Sequence, residues 1–346
     1  MLRHILFIAM IISLMACNKS PQLTFSIDEI NTPSQASIRG LSVIDANTVW
    51  VSGSGGTVMR TSDGGKNWID CSIKEELEND FRSIHAFDSL RAFVLGINNP
   101  ALIYATTNGG ADWQVMDSLS SKGLFFNSLV FADANRALAL SDPIDERFLL
   151  IKTNDGGASW KRCEAMPVKY KNEANFAASN TCIDYLSNGY AWFATGGSKA
   201  RVYTTKNDGD DWHIVDTPIK VNSDYDGIYS IKFKNSQQGI VVGGNFDQPH
   251  LNDSIAAYTK DGGKTWLLAE QMPRGFRSCV QHFNNGSTSL SLAMGKTGFD
   301  YSQDNGLTWH KGGDEGYYTI RSIDGTLMAY AAGSDGRVAR ISILMK

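Results

Sequence analysis

Three scarcities narrow the reading of this sequence before any motif is considered. Basic residues do not outnumber acidic ones: 32 Lys+Arg against 36 Asp+Glu leave a formal net charge of −4. That is a poor match for the basic surface on which non-specific nucleic-acid binding depends. Past the N-terminus, no run reaches the roughly 18 apolar residues of a spanning helix, which excludes a polytopic membrane protein built of helices. Histidine is sparse at 6, and the 5 cysteines contain no Cys-x-x-Cys pair and no Cys/His ligand spacing, so neither a metal nor any other cofactor is expected. Proline is rare at 8, whereas Gly at 33 and Trp at 8 are plentiful. That balance predicts many tight turns and large aromatic packing residues. With 42% hydrophobic and 20% charged residues the chain can build a core. Its length allows two or three domains, or one larger β-unit.

The N-terminus is an address. Arg3 gives it a positive start and Ile5 to Ala16 an apolar run, so residues 1–16 read as a secretory signal and not as part of the fold. The run ends Leu14-Met15-Ala16-Cys17, which resembles a bacterial lipobox in which Cys17 becomes the lipidated first residue; the alternative is an ordinary signal peptide with a chance cysteine. Asn18 stands where an Asp would favour the inner membrane, so the expected location is the cell envelope, at the outer membrane. Residues 17–36 read as anchor and tether, except that Leu23–Ile27 alternates like a strand. An exported protein can oxidise Cys71, Cys163, Cys182 and Cys279. However, Cys71 and Cys163 each lie three residues after a repeated Trp, so they hold equivalent places in different repeats. Small buried hydrophobes are the expected role of all four.

The repeat decides the fold. Thr61-Ser-Asp63-Gly-Gly65-Lys-Asn-Trp68 recurs as Thr106–Trp113 with Asn108, Thr153–Trp160 with Asp155, Thr205–Trp212 with Asn207, Thr259–Trp266 with Asp261 and Ser302–Trp309 with Asp304. Successive Trp residues are 45, 47, 52, 54 and 43 apart. An Asp or Asn accepts backbone N–H bonds from residues ahead of it, a Gly supplies positive φ, and the Trp ring covers the turn. These are hairpin residues, and six equivalent acids cannot all be one active site. Upstream of each box lie an alternating strand, an apolar strand that generally ends in Gly (Val49–Gly53, Phe93–Gly96, Ile240–Gly243) and a third strand into the box. Four short strands per unit of about 45 residues predict a propeller blade. First strands near Ile38, Phe81, Phe126, Asn180, Ile228, Phe276 and Tyr318 number seven. The seventh unit runs out after three strands, and 23–27 is a candidate for the missing one, removing a sheet edge. The fold class is all-β: a seven-bladed β-propeller with Asp-box hairpins over 37–346.

The boxes resemble the Asp-box (BNR) repeats of sialidases, sortilin-type receptors and the photosystem II stability/assembly factor family. Seven units with Gly…Thr-x-Asp-Gly-Gly-x-x-Trp look most like the last, over nearly all of the chain beyond about residue 36. That resemblance implies a non-catalytic scaffold or chaperone for envelope complexes. The family is also noted for an arginine-rich patch that contacts its client.

Function is expected where repeats differ. The residue after the opening apolar position of each first strand is Arg39, Arg82, Asn127, Asn180, Tyr229, Arg277 and Arg321 in blades 1 to 7. Blades 6, 7, 1 and 2 are consecutive in a closed ring, so four arginines are expected to form a basic arc at the channel mouth. Guanidinium forks suit carboxylates, which makes a peptide C-terminus, an acidic segment or an acidic sugar a fitting partner. The competing reading pairs each Arg with an Asp of a neighbouring blade. The links Cys163–Ala177 and Val215–Gly227 and the excursion Asn245–Ser254 are long. They offer Tyr170, Tyr225 and Phe246 as rim contacts, or are tolerated surface insertions.

The runner-up is a sialidase-type glycoside hydrolase, since Asp314-Glu315-Gly-Tyr317-Tyr318-Thr-Ile-Arg321 sets acid, Tyr and Arg in one segment. Against it, sialidases usually carry six blades, the Phe/Tyr-Arg-Ile-Pro segment is absent, and no Asp outside the boxes stands out as acid/base. Gly53-Ser-Gly55-Gly56 resembles a dinucleotide fingerprint but sits between strands, with no helix to receive a pyrophosphate. The sequence therefore favours a lipid-anchored scaffold that performs no chemistry. It would bind a protein or other anionic partner in the cell envelope, touch the membrane through its anchor alone and take no nucleic acid.

Overall fold

The computed structural model describes residues 23–345; the signal 1–16, Cys17 and the start of the tether lie outside the described residues. Seven antiparallel sheets form seven blades. Their innermost strands are Ile38–Val43, Ser83–Ala86, Phe126–Phe131, Ile183–Tyr185, Asp226–Phe233, Cys279–Asn284 and Thr319–Ser322. Each packs beside the innermost strands of the preceding and following blades, and the seventh meets the first. The second strands, such as Val49–Gly53, Ala92–Leu95 and Ala191–Ala194, are wholly buried. A blade is covered on both faces by its neighbours, so these strands read as continuous apolar runs and not as alternation. Short outermost strands such as Ile69–Asp70, Lys161–Arg162 and Leu267–Leu268 are exposed.

The core lies between blades. Trp50 of blade 1 packs with Phe81, Ile84 and Val94 of blade 2, and Trp192 of blade 4 stacks on Phe233 of blade 5 at 3.6 Å. The Asp-boxes join this packing. Thr61 Oγ1 donates to Asp63 Oδ1 (2.8 Å) and accepts the Gly65 N–H (2.9 Å), while Asp63 Oδ1 accepts the Asn67 N–H (2.9 Å). The same pattern recurs at Asn108, Asp155, Asn207, Asp261 and Asp304. Trp113 reaches beyond its own turn: its Nε1 donates to the Cys71 carbonyl of blade 1 at 2.8 Å. All four described cysteines are buried and free.

Blade 7 takes its fourth strand from the start of the described chain. Leu23–Asn31 lies antiparallel along Arg337–Met345, from Leu23↔Met345 to Asn31↔Arg337. The strand is longer than the five residues its alternation marks. Ile30 packs beneath the box glycine Gly65, and Asp28 and Glu29 pair with Arg340 and Arg337.

All innermost strands start at one face, here the upper, and end at the lower. The blade-to-blade links and the long excursions lie on the upper face. The lower face carries short turns, such as 44–48 and 323–327, and the six boxes.

Candidate binding site at the channel mouth

Ladder pairing fixes which residues share a level around the channel. Opposite the same point of the second strand stand Arg39, Arg82, Asn127, Thr181, Tyr229, Ser278 and Tyr318. Four of these are the residues expected from the sequence; three are not. In blades 1, 3 and 5 a β-bulge falls at Arg39, Asn127 and Tyr229, adding a residue. Blade 6 pairs without a register shift, so Arg277 falls one residue short of the level. Arg321 lies three residues beyond it, on the lower side of the channel.

The four-arginine arc is therefore corrected to two. Arg277 is buried inside blade 6, its Nε 2.8 Å from Asp300 Oδ2, with both side chains about 1% exposed. Arg274 holds the other oxygen of Asp300 at 2.9 Å. Arg321 opens onto a lower cavity of about 610 Å³.

Asn180 is not a strand residue either. Residues 173–180, from the long link after box 3, cross the channel. The side chain of Glu173 anchors this crosspiece, taking Thr195 Oγ1 at 2.6 Å and Arg201 Nε at 2.9 Å. Asn175 donates from Nδ2 to the Ala194 carbonyl at 2.9 Å, and Phe176 stacks on Tyr229 at 4.0 Å. Successive carbonyls then meet arginines of three neighbouring blades. Arg82 Nη1 donates to Ala177 O (3.4 Å) and Arg39 Nη1 to Ala178 O (3.2 Å). Arg321 Nη2 donates to Ser179 O (2.9 Å) and Asn180 O (3.4 Å). Ser179 Oγ donates to Ser278 O at 2.6 Å. Asn180, at φ 58°, turns the chain into blade 4. Its Oδ1 accepts from Ser128 Oγ and Leu129 N–H, both at 2.8 Å. The small residues Ala177-Ala178-Ser179 were the one signal of this close approach in the sequence. Arg39, Arg82 and Arg321 thus serve neither of the two expected roles alone: they grip a segment of their own chain.

Above the crosspiece lies a cavity of about 370 Å³ walled by Arg39, Arg82, Asn127, Tyr229 and Lys296, with Phe125, Phe246, Phe276 and Tyr318. Three cations line it and no carboxylate does. Arg82 is paired with Asp80 at 2.7 Å. Among the described residues no ion pair reaches Arg39 or Lys296. Arg39 instead lies over the Tyr318 ring at 4.5 Å. Burial, then the charge of Arg82, draw its guanidinium below the usual range, yet an arginine stays charged. Lys296 stands over Phe246 at 5.9 Å, and Phe246 meets Tyr225 edge-on at 5.0 Å. Tyr225 and Phe246 are 48% and 38% exposed, so the aromatic wall continues from the cavity onto the rim. Tyr170, also exposed, does not line the cavity.

In the lower cavity Lys232 pairs with Asp184 at 2.9 Å. Burial pushes His85 and His282 down to about 4. No group of three or more His, Cys, Asp or Glu suited to a metal occurs among the described residues. The segment 314–321 does not converge on one cavity either. Tyr317 is buried against Arg337 and Glu29, Tyr318 lines the upper cavity, and Arg321 lines the lower one.

Residues 19–123 match the family model described as photosynthesis system II assembly factor YCF48, and residues 300–311 match the BNR/Asp-box repeat. The chain is an Asp-box propeller resembling the photosystem II assembly factors. It is 24% identical over 292 residues to the photosystem II assembly lipoprotein Ycf48 of Synechococcus sp. (strain CC9902), covering 72% of this chain and 81% of that one. Among solved structures it resembles YCF48 bound to a D1 peptide (17% identity, TM-score 0.64, 92% of this chain and 96% of that one). It also resembles YCF48 from Cyanidioschyzon merolae (19%, TM-score 0.62, 91% and 98%). The WD40 propeller domain of Doa1 superposes as well (13%, TM-score 0.63, 93% and 97%). Structural likeness at this level speaks for the propeller alone; the resemblance to the assembly factors rests on the sequence matches.

Proposed function

We propose that this propeller is a lipid-anchored scaffold or assembly chaperone of the bacterial cell envelope that holds a carboxylate-bearing polypeptide at its upper mouth. The observation that carries the reading is the upper cavity itself. Three cations and an aromatic wall without a carboxylate form a place where an anionic chain end gains charge-assisted hydrogen bonds and apolar cover together. The assembly-factor relatives, one of them solved with a D1 peptide, support a protein-binding role. The lipobox at Cys17 and the lipoprotein relative support the anchor, and Asn18 favours the outer membrane.

The test is co-purification from detergent-solubilised envelope, comparing the native chain with the Arg39→Gln/Lys296→Gln double variant. Gln at 39 and at 296 removes the charge while leaving a polar side chain at each position. A partner retained by the native chain and lost by a variant of unchanged melting temperature supports the reading; equal capture by both moves the site elsewhere.

A further inference from the structure

Three cations among aromatic rings would also suit anionic headgroups at a membrane surface. Reach and strand direction decide between a bilayer and a polypeptide. Leu23 starts its strand at the lower end of blade 7, opposite Met345, and Asn31 ends it at the upper end, opposite Arg337. Nine strand residues span about 26 Å at the usual rise. The blade-to-blade links that rim the mouth lie beyond Asn31 again. From Cys17 to Leu23 is six residue steps, which cover at most about 22 Å even fully extended. A lipidated Cys17 therefore cannot reach the level of the mouth. Whatever path residues 18–22 take, the lower end of blade 7 is held toward the bilayer. Leu344 and Met345, 51% and 47% exposed, sit at that same end.

We infer that the upper mouth opens away from, or along, the membrane that anchors the protein and never onto it. Its occupant is then a polypeptide segment standing clear of the lipid surface, not the headgroups of the anchoring bilayer. This rests on the lipidation proposed above. The long excursions agree with it, since every one of them is on the upper face, away from the anchored end.

The test uses the full lipidated chain in vesicles carrying an acceptor dye on the headgroups. A donor dye is placed at Asp324→Cys on a lower turn or at Asp224→Cys on the upper rim. Both side chains are exposed, and the four described cysteines are buried. Energy transfer from position 324 at least as strong as that from 224 is expected. Transfer from 224 that exceeds that from 324 overturns the orientation. Co-sedimentation with the vesicles is measured first. A chain that does not co-sediment refutes the anchor, and the orientation with it, which separates that failure from a mouth that lies on lipid.

Discussion

At the scale of residues, the box glycines show how a repeated letter does two jobs. Gly110 has φ +82°, and a Cβ there would lie 2.5 Å from Cys71 Cβ of the preceding blade; Gly157 meets Phe93 in the same way. Positive φ excuses the absence of a side chain, while the interblade contact forbids one. Asp142 is the opposite case, a polar residue in an apolar place. Burial pushes its carboxyl up to about 6, against the opposing bonds from the Asn175 N–H and Asn127 Nδ2. A raised folded-state value means that its contribution to stability is present below about pH 4 and lost as pH rises through about 6. His85 and His282, pushed down to about 4, act with the other sign, their contribution being lost as pH falls from about 6.5 toward 4. Asp142→Asn keeps an oxygen for Asn175 and removes the buried charge. It should raise the melting temperature at pH 7.5, equivalent to about 1–3 kcal/mol, and leave it unchanged near pH 4. Melting curves at both pH values check this.

At the scale of elements, closure and crosspiece carry the architecture. Phe25 packs edge-on against Phe299 of blade 6 at 5.1 Å, so the N-terminal strand seals two blades as well as pairing with Arg337–Met345. Without residues 23–31 that long strand becomes an exposed edge, which invites pairing with another chain. Deleting them should give oligomers or aggregates by light scattering at a temperature where the native chain is monodisperse. A deletion variant that stays as monodisperse as the native chain would refute the role given to closure. The crosspiece binds opposite sides of the ring: its residues come from the link between blades 3 and 4 and bond to blades 1, 2, 3, 6 and 7.

At the scale of the whole molecule, the two faces divide the work. The lower face repeats, with a short turn and a box in blade after blade, and the chain enters the fold there. The upper face varies, and the cations and long excursions collect on it. Replacing Cys17 with Ala should move the protein from the membrane to the soluble fraction without changing its melting temperature, as fractionation and calorimetry can show. A Cys17→Ala chain still in the membrane pellet would argue against the lipid anchor.

The sequence by itself determined the propeller. Six boxes and seven first strands are local patterns, and local hydrogen bonding and strand alternation are what short stretches of sequence encode. It also carried part of the mouth, because Arg39, Arg82, Asn127 and Tyr229 share one register. What only the tertiary structure decided was which arginines meet. A bulge present in blades 1, 3 and 5 and absent in blade 6 shifts the level by one residue. Buried Asp300 captures Arg277, and a link that reads as a rim loop crosses the axis instead. Each of these depends on contacts between residues from about 15 to more than a hundred positions apart, which no local pattern records.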